Sequence, residues 1–461
     1  MGDDAFRHAV IVGSVALYIV LTSLLAFVLR SRTNAQYMVG GRSLPAVVIA
    51  VLLMSEFIGA KSTVGTAQEA FEKGMAASWS VLAAAIGFLL LALFFARQIY
   101  ASQQHTISGL VEQRFGNGAR ITVSLIMIYA LLLVNVGNYI SGAAALSQAL
   151  GVGLTASTFI VAAFSAVYYV FGGLKSIAYV TVLHSVLKLV GVGVLVVIAA
   201  SLTGGLAPMQ ARLPPSYFTM TGEIGANTIF AWIIGTLGAI FSTQYIVQAI
   251  ASNRSAGAAR ASALLAAILC LPLGLALAFV GVAARYLYPD QQSLYALPVF
   301  IAKMPIGWAA LVTLSLVASS LVSVSTVALA TTALVMRDFY VPWRKPEGDA
   351  ELTATRRVAL VVGLIPLLCV FVTPNILELS FFTRALRLSI AIIALVGVYL
   401  PWLGSGRAAV VALVTSGAAT TAWYVFGNPF HIDNMYIAAL VPALVLFLSS
   451  LGKRRAASAR I

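Results

Sequence analysis

Apolar runs of about 18 or more residues follow one another along most of this chain, and each is long enough to cross a bilayer as a helix. They lie near 8–30, 44–71, 76–100, 121–149, 154–172, 176–203, 227–249, 258–284, 307–336, 355–373, 376–402, 407–426 and 435–451, thirteen in all. Of the 461 residues, 61% are hydrophobic and 9% charged, against roughly 25% charged in an average soluble domain. A soluble fold of this length lacks the interior to hide so much apolar surface. Lipid is the remaining solvent, so the expected class is an all-α, multi-pass membrane protein. The segment Met1 to His8 carries Asp3 and Asp4 instead of a basic leader, and the run after it continues to about Leu29. It reads as a retained helix, not a cleaved signal. Cys270 and Cys369 sit in apolar runs without metal-ligand spacing, and both are expected as buried free thiols.

Charge placement tests this layout. The formal net charge is +14, yet no basic stripe with interleaved aromatics points to nucleic acid. With the N-terminus outside, 19 Lys and Arg fall in cytoplasmic segments, 5 outside and 4 inside spans. That asymmetry is the one topology rules demand, and it places the C-terminus in the cytoplasm. The longest polar inserts are near 204–226 and 337–354, a short surface helix is expected over 294–304, and no separate soluble domain is expected. The basic tail from Lys453 to Ile461 suits anionic lipid.

Four segments carry a resemblance. Tyr37 to Pro45 reads YMVGGRSLP and is followed by Gly65, Gly74 and the segment from Thr106 to Arg114-Phe-Gly; Phe171 to Ser176 reads FGGLKS. Gln244 to Gln248 reads QYIVQ before a basic loop, and the hydroxyl-rich stretch Ser319 to Thr332 ends in Arg337-Asp338-Phe-Tyr340. In this order and spacing, over about 36–340, the set resembles the sodium/solute symporter family. That family contains sodium/galactose, proline, pantothenate and sialic acid transporters.

The resemblance implies a LeuT-type core of two five-helix inverted repeats, 44–203 and 204–402. Residues 1–43 supply one extra helix and loop, and 403–461 two extra helices and the tail. Sites in such transporters lie near the midplane at interrupted helices. Ile58 to Thr63, around Gly59, is the candidate break in the first core helix, and Gly235 to Gly238 the candidate break in its inverted partner. Ordinary glycine-mediated helix packing is the competing explanation for both.

Carried over by resemblance, the sodium-coordinating carbonyls fall on Ser55, Ile58 and Ser319, and the hydroxyl positions on Val322 and Ser323. Val322 has no side-chain oxygen to offer. A Thr-Asp pair common in relatives becomes Val180 and Thr181, without the carboxylate. Sugar-reading positions fall on Thr236 and Ala239, and the glutamine beside the break becomes Ser62.

Four cations lie inside spans: Lys61, Lys188, Arg384 and Arg387. A charge at that depth marks a functional site by default. Lys61 has three readings: an ion pair with Glu56, an anchor for a substrate carboxylate, or a titrating group in place of sodium. His184 and Lys188 share a helix face by their i, i+4 spacing. His184 is either a satisfied polar residue between helices or a proton relay, and Arg384 and Arg387 either brace helices or meet substrate. The expected function is an inner-membrane symporter that moves a small carboxylate by alternating access. Lys61, Ser62, Gly59, Thr236 and Ala239 would line its site, and Glu56, Lys61 or His184 would carry a coupling proton. A conventional sodium symporter and a non-transporting metabolite sensor are the alternatives. No enzyme, cofactor beyond Na+ or H+, or nucleic-acid partner is expected, and the chain is expected to act as a monomer.

Overall fold

The computed structural model describes residues 2–293, 296–371 and 376–458, and every regular element among them is helical. The chain opens with α1 (Gly2–Val28), the short α2 (Asn34–Val39), and the pair α3 (Ala46–Phe57) and α4 (Ala60–Lys73). Next come α5 (Trp79–Leu90), α6 (Ala96–Ala101), the long α7 (Ile107–Leu150), α8 (Leu154–Ala166) and α9 (Gly173–Thr203). The short α10 (Leu206–Arg212) leads to α11 (Ala226–Ser242), α12 (Gln244–Ala251) and α13 (Ala256–Leu287). After α14 (Pro298–Lys303) and α15 (Ile306–Val335) follow α16 (Val341–Arg344), α17 (Asp349–Leu364) and α18 (Leu367–Val370). The chain closes with α19 (Ile376–Tyr399), α20 (Gly406–Val425) and α21 (Asn434–Ser458).

Ten helical stretches among the described residues are long and apolar enough to cross a membrane, or eleven with the bent pair α11 and α12 taken as one. Two of them, Ser62–Ala101 and Leu154–Thr203, run for 40 and 50 residues, about twice a single crossing at 1.5 Å per residue. Each of the thirteen apolar runs overlaps a helix, but the count of thirteen depends on dividing those stretches. Large apolar side chains such as Val28, Leu368 and Phe426 stand mostly exposed, as lipid-facing residues do. Cys270 is buried as expected, whereas Cys369 is exposed; its helix presents that face outward. Within the 294–304 expected as a surface helix, α14 is found at Pro298–Lys303, but Leu297, Phe300 and Met304 are buried, so the segment packs into the protein; 294 and 295 lie outside the described residues.

The centre of the bundle is α15, buried almost without interruption from Val317 to Leu334. A helix apolar and small on all sides belongs in the interior. It packs on α7, α9 and α1, while α13 packs on α3, α4 and α5, and α11 on α19 and α5. The sequence motifs lock one end of this bundle. Tyr37 donates to the Tyr169 carbonyl, and Gln248 donates to the Met38 carbonyl at 2.5 Å. Gly173, with φ +66°, turns α8 into α9; a Cβ there would lie 2.8 Å from the Tyr37 Cα. Only glycine combines that backbone with that approach.

Candidate functional site

The first core helix breaks at the beginning of the segment singled out in the sequence. The Ile58 amide closes α3 on the Met54 carbonyl at 2.9 Å, but Ile58 itself leaves helical geometry (φ −108°, ψ 59°). Gly59 is extended, and α4 restarts at Ala60. Such a break strands backbone carbonyls, and neighbouring hydroxyls take some of them up. Ser62 Oγ donates to the Phe57 carbonyl at 2.6 Å, and Thr63 Oγ1 to the Gly59 carbonyl at 2.9 Å.

The second break is elsewhere than expected. Helix α11 runs unbroken through Gly235 to Gly238, and the chain bends by 50° at Thr243, between α11 and α12. The two glycines serve close packing, since a Cβ at Gly238 would lie 2.6 Å from the Leu388 Cα and one at Gly235 2.8 Å from the Met435 Cε. At the true bend the Thr243 hydroxyl donates to the Ala239 carbonyl at 2.5 Å, beside the Thr243 amide on the same carbonyl at 2.9 Å. Arg387 Nη1 donates to the same hydroxyl at 3.0 Å.

A cavity of about 120 Å³ opens beside the first break. Glu56, Gly59 and Ser62 line it from the break, Asn138 from α7, Ser320 and Ser323 from α15, and Arg384 and Arg387 from α19. Trp232 and Tyr245 add aromatic walls from α11 and α12. Arg384 Nη1 donates to Thr236 Oγ1 at 3.1 Å, and Arg387 is 4% exposed with its Nε on the Thr383 carbonyl at 2.9 Å. Glu56 Oε1 is buried with no hydrogen-bond partner among the described residues. The side chain of Lys61 lies outside the described residues.

The structure thus brings Gly59, Ser62, Glu56 and Ser323 to one cavity and leaves others outside it. Thr236 and Ala239 are fully buried and absent from its walls. His184 is buried beside α1: Tyr18 hydrogen-bonds its Nδ1, and its Nε2 has no partner among the described residues. Of the sodium-equivalent positions, Ser319 Oγ and Thr181 Oγ1 each donate to a carbonyl of their own helix, at 2.8 and 2.7 Å. Val322 is buried, and its carbonyl accepts from Thr326 at 3.0 Å. Ser55 Oγ and the Ile58 carbonyl both accept from the ammonium of Lys188. Sequence reasoning placed Lys188 on a helix face but assigned it no partner. It also missed Asn138 and Tyr245, two polar side chains inside apolar runs.

Interrupted helices, a small polar cavity at the break and a lipid-facing exterior define a membrane transporter. The model of the sodium:solute symporter family matches residues 37–402. The chain belongs to that family. It is similar to the sodium/glucose cotransporter of Vibrio parahaemolyticus, 23% identical over 72% of this chain and 68% of that protein. The high-affinity proline transporter PutP of Bacillus subtilis is 24% identical over 45% of this chain and 47% of its own. Among solved structures, a Na+-coupled sialic acid symporter in a substrate-bound outward-open state superposes with a TM-score of 0.85. It covers 96% of this chain and 97% of its own at 17% identity. The fold is of the LeuT type, and these relatives are transporters, not enzymes.

Proposed function

We propose that this protein is a secondary active transporter that carries a small carboxylate across the cytoplasmic membrane by alternating access, with its N-terminus outside. The observation that carries this reading is the pair Arg384 and Arg387 in the wall of the cavity at the break. The start of α4, which has no side-chain cap, is on the same cavity, and helix N-termini favour anions. Against these stand Glu56 and Glu69, and Glu69 is already paired with Lys73 at 2.8 Å. The positive side prevails, which suits an anion better than a polyol. Lys61 and Ser62, with the backbone at the break, would complete the carboxylate site.

The test is a thermal-shift screen of carboxylates, amino acids and sugars on purified protein, followed by uptake into proteoliposomes. Carboxylates should stabilise the protein, and Arg384→Gln should weaken that binding by about tenfold or more, as expected for a charged hydrogen bond. Stabilisation by neutral sugars alone would sink the anion reading. Unchanged affinity in Lys61→Ala would remove Lys61 from the site, and binding without flux would instead support a sensor.

Two coupling ions are to be distinguished. A proton could be held by Glu56, Lys61 or His184, while the relatives' sodium coupling favours sodium. Uptake under separately imposed pH and sodium gradients distinguishes them.

A further inference from the structure

Lys188 lies midway along α9, which packs against both α3 and α15, and it is 2% exposed. Its ammonium donates to the carbonyl of Ile58, where α3 unwinds, and to Ser55 Oγ at 3.1 Å. Gly59 follows directly and abuts α15, since a Cβ on it would lie 2.9 Å from Ser323 Oγ. The ammonium therefore sits at the junction of the broken helix, α9 and α15. Around that junction cluster the positions to which the resemblance assigned sodium.

Sodium does not fit these residues. A hard cation needs several oxygens and gains from nearby negative charge. Here Val322 offers no side-chain oxygen, Thr181 stands where relatives carry a carboxylate, and its hydroxyl is turned back on the Ile177 carbonyl. Of the assigned oxygens, the Ile58 carbonyl already accepts from the Lys188 ammonium, as does the neighbouring Ser55 hydroxyl, which leaves the Ser55 and Ser319 carbonyls and the Ser323 hydroxyl. A second cation placed against them would face that charge in a medium of low dielectric. A buried lysine ammonium also needs such oxygens for its own solvation. Glu56 lies within electrostatic reach of Lys188, with no ion pair between them inside 4.0 Å among the described residues.

We propose that the Lys188 ammonium is the resident cation of this junction, a tethered substitute for sodium, and that the protein binds its solute without sodium there. The proposal rests on the transporter reading above and concerns a different ligand, so the two can fail separately.

The experiment measures thermal stability and radioactive sodium binding of the full-length protein in detergent. Sodium chloride is exchanged for N-methylglucamine chloride at constant chloride. The wild type is expected to show no saturable sodium binding and no sodium-specific stabilisation, while carboxylates stabilise it equally in both salts. Lys188→Ala combined with Thr181→Asp and Val322→Ser is expected to lose stability in N-methylglucamine and regain it with sodium, saturably. Lys188→Arg, which keeps a cation in place, should remain insensitive to sodium and covers the case in which the triple variant does not fold. Saturable sodium binding by the wild type overturns the proposal, as does a folded triple variant that gains no response to sodium. Failure of carboxylates to stabilise the wild type in either salt would instead count against the transporter's assigned solute.

Discussion

His105, in the segment between α6 and α7, shows how a single residue senses its neighbours here. Burial, then the guanidiniums of Arg337 and Arg42, disfavour the imidazolium and lower its pKa from 6.5 to about 4. The unfolded chain therefore takes up this proton first as pH falls, and stability is lost on acidification. The contribution is complete above 6.5 and disappears as pH falls toward 4. Thermal melts in detergent should show a falling midpoint across that window, and His105→Gln should flatten the fall. An unaltered slope in the variant would assign the effect to another group. The four cations within the spans were legible as residues because charge in an apolar run stands out. The partners of Lys188, Arg384 and Arg387 were not. The i, i+4 spacing put Lys188 on a face with His184, but only the packing of α9 against α3 decides that the lysine reaches the Ile58 carbonyl while the histidine meets Tyr18.

At the scale of elements, two glycine-containing segments looked alike in the sequence and behave differently in the fold. Glycine lowers the cost both of leaving the helix and of bringing another helix close, so composition alone cannot separate the two uses. Gly59 takes the first and Gly235 and Gly238 the second. What decides is the partner, and Leu388 and Met435 lie far along the chain. The bend falls instead at Thr243, where the backbone turns extended, with its hydroxyl on the Ala239 carbonyl and held by Arg387. Gly238→Ala should therefore force α11 from α19 and cost about 1–3 kcal/mol, the usual range for overpacking, read as a lower melting temperature. Gly65→Ala makes the contrasting case. A Cβ there meets nothing within 4 Å, and the residue lines the cavity. Its melting temperature should hold or rise, while solute affinity falls. Equal melting losses in both variants would defeat this division of roles.

Across the whole molecule, several residues of the family motifs fasten one end of the bundle, such as Tyr37, Gly173, Gln248 and Asp338. Others, Gly65, Tyr245, Ser320 and Ser323, line the cavity with few polar groups, so the motifs revealed the scaffold and said little about the solute. The last motif makes the strongest fastening. Asp338, buried at the end of α15, accepts from Ser108 at 2.5 Å, from Arg337 at 2.8 Å and from Ser124. Glu112 pairs with Arg120 at 3.2 Å and Arg337 at 3.1 Å. Together they tie the first turns of α7 to the end of α15. The same two helices wall the cavity farther along, through Asn138, Ser320 and Ser323. If the proposed alternating access parts these helices at the fastened end, this cluster should set how often they do so. Asp338→Asn leaves two guanidiniums short of a counter-charge, a change worth about 3–5 kcal/mol for a buried pair. Part of that cost falls on the state closed at this end, shifting the population toward the open one by about tenfold for each 1.4 kcal/mol. A Ser323→Cys reporter, with Cys270 and Cys369 replaced by serine, reads the shift as faster labelling by an impermeant thiol reagent added from the Arg337 side. Unchanged labelling in a variant that still folds would mean that the cluster holds the helices together without governing access.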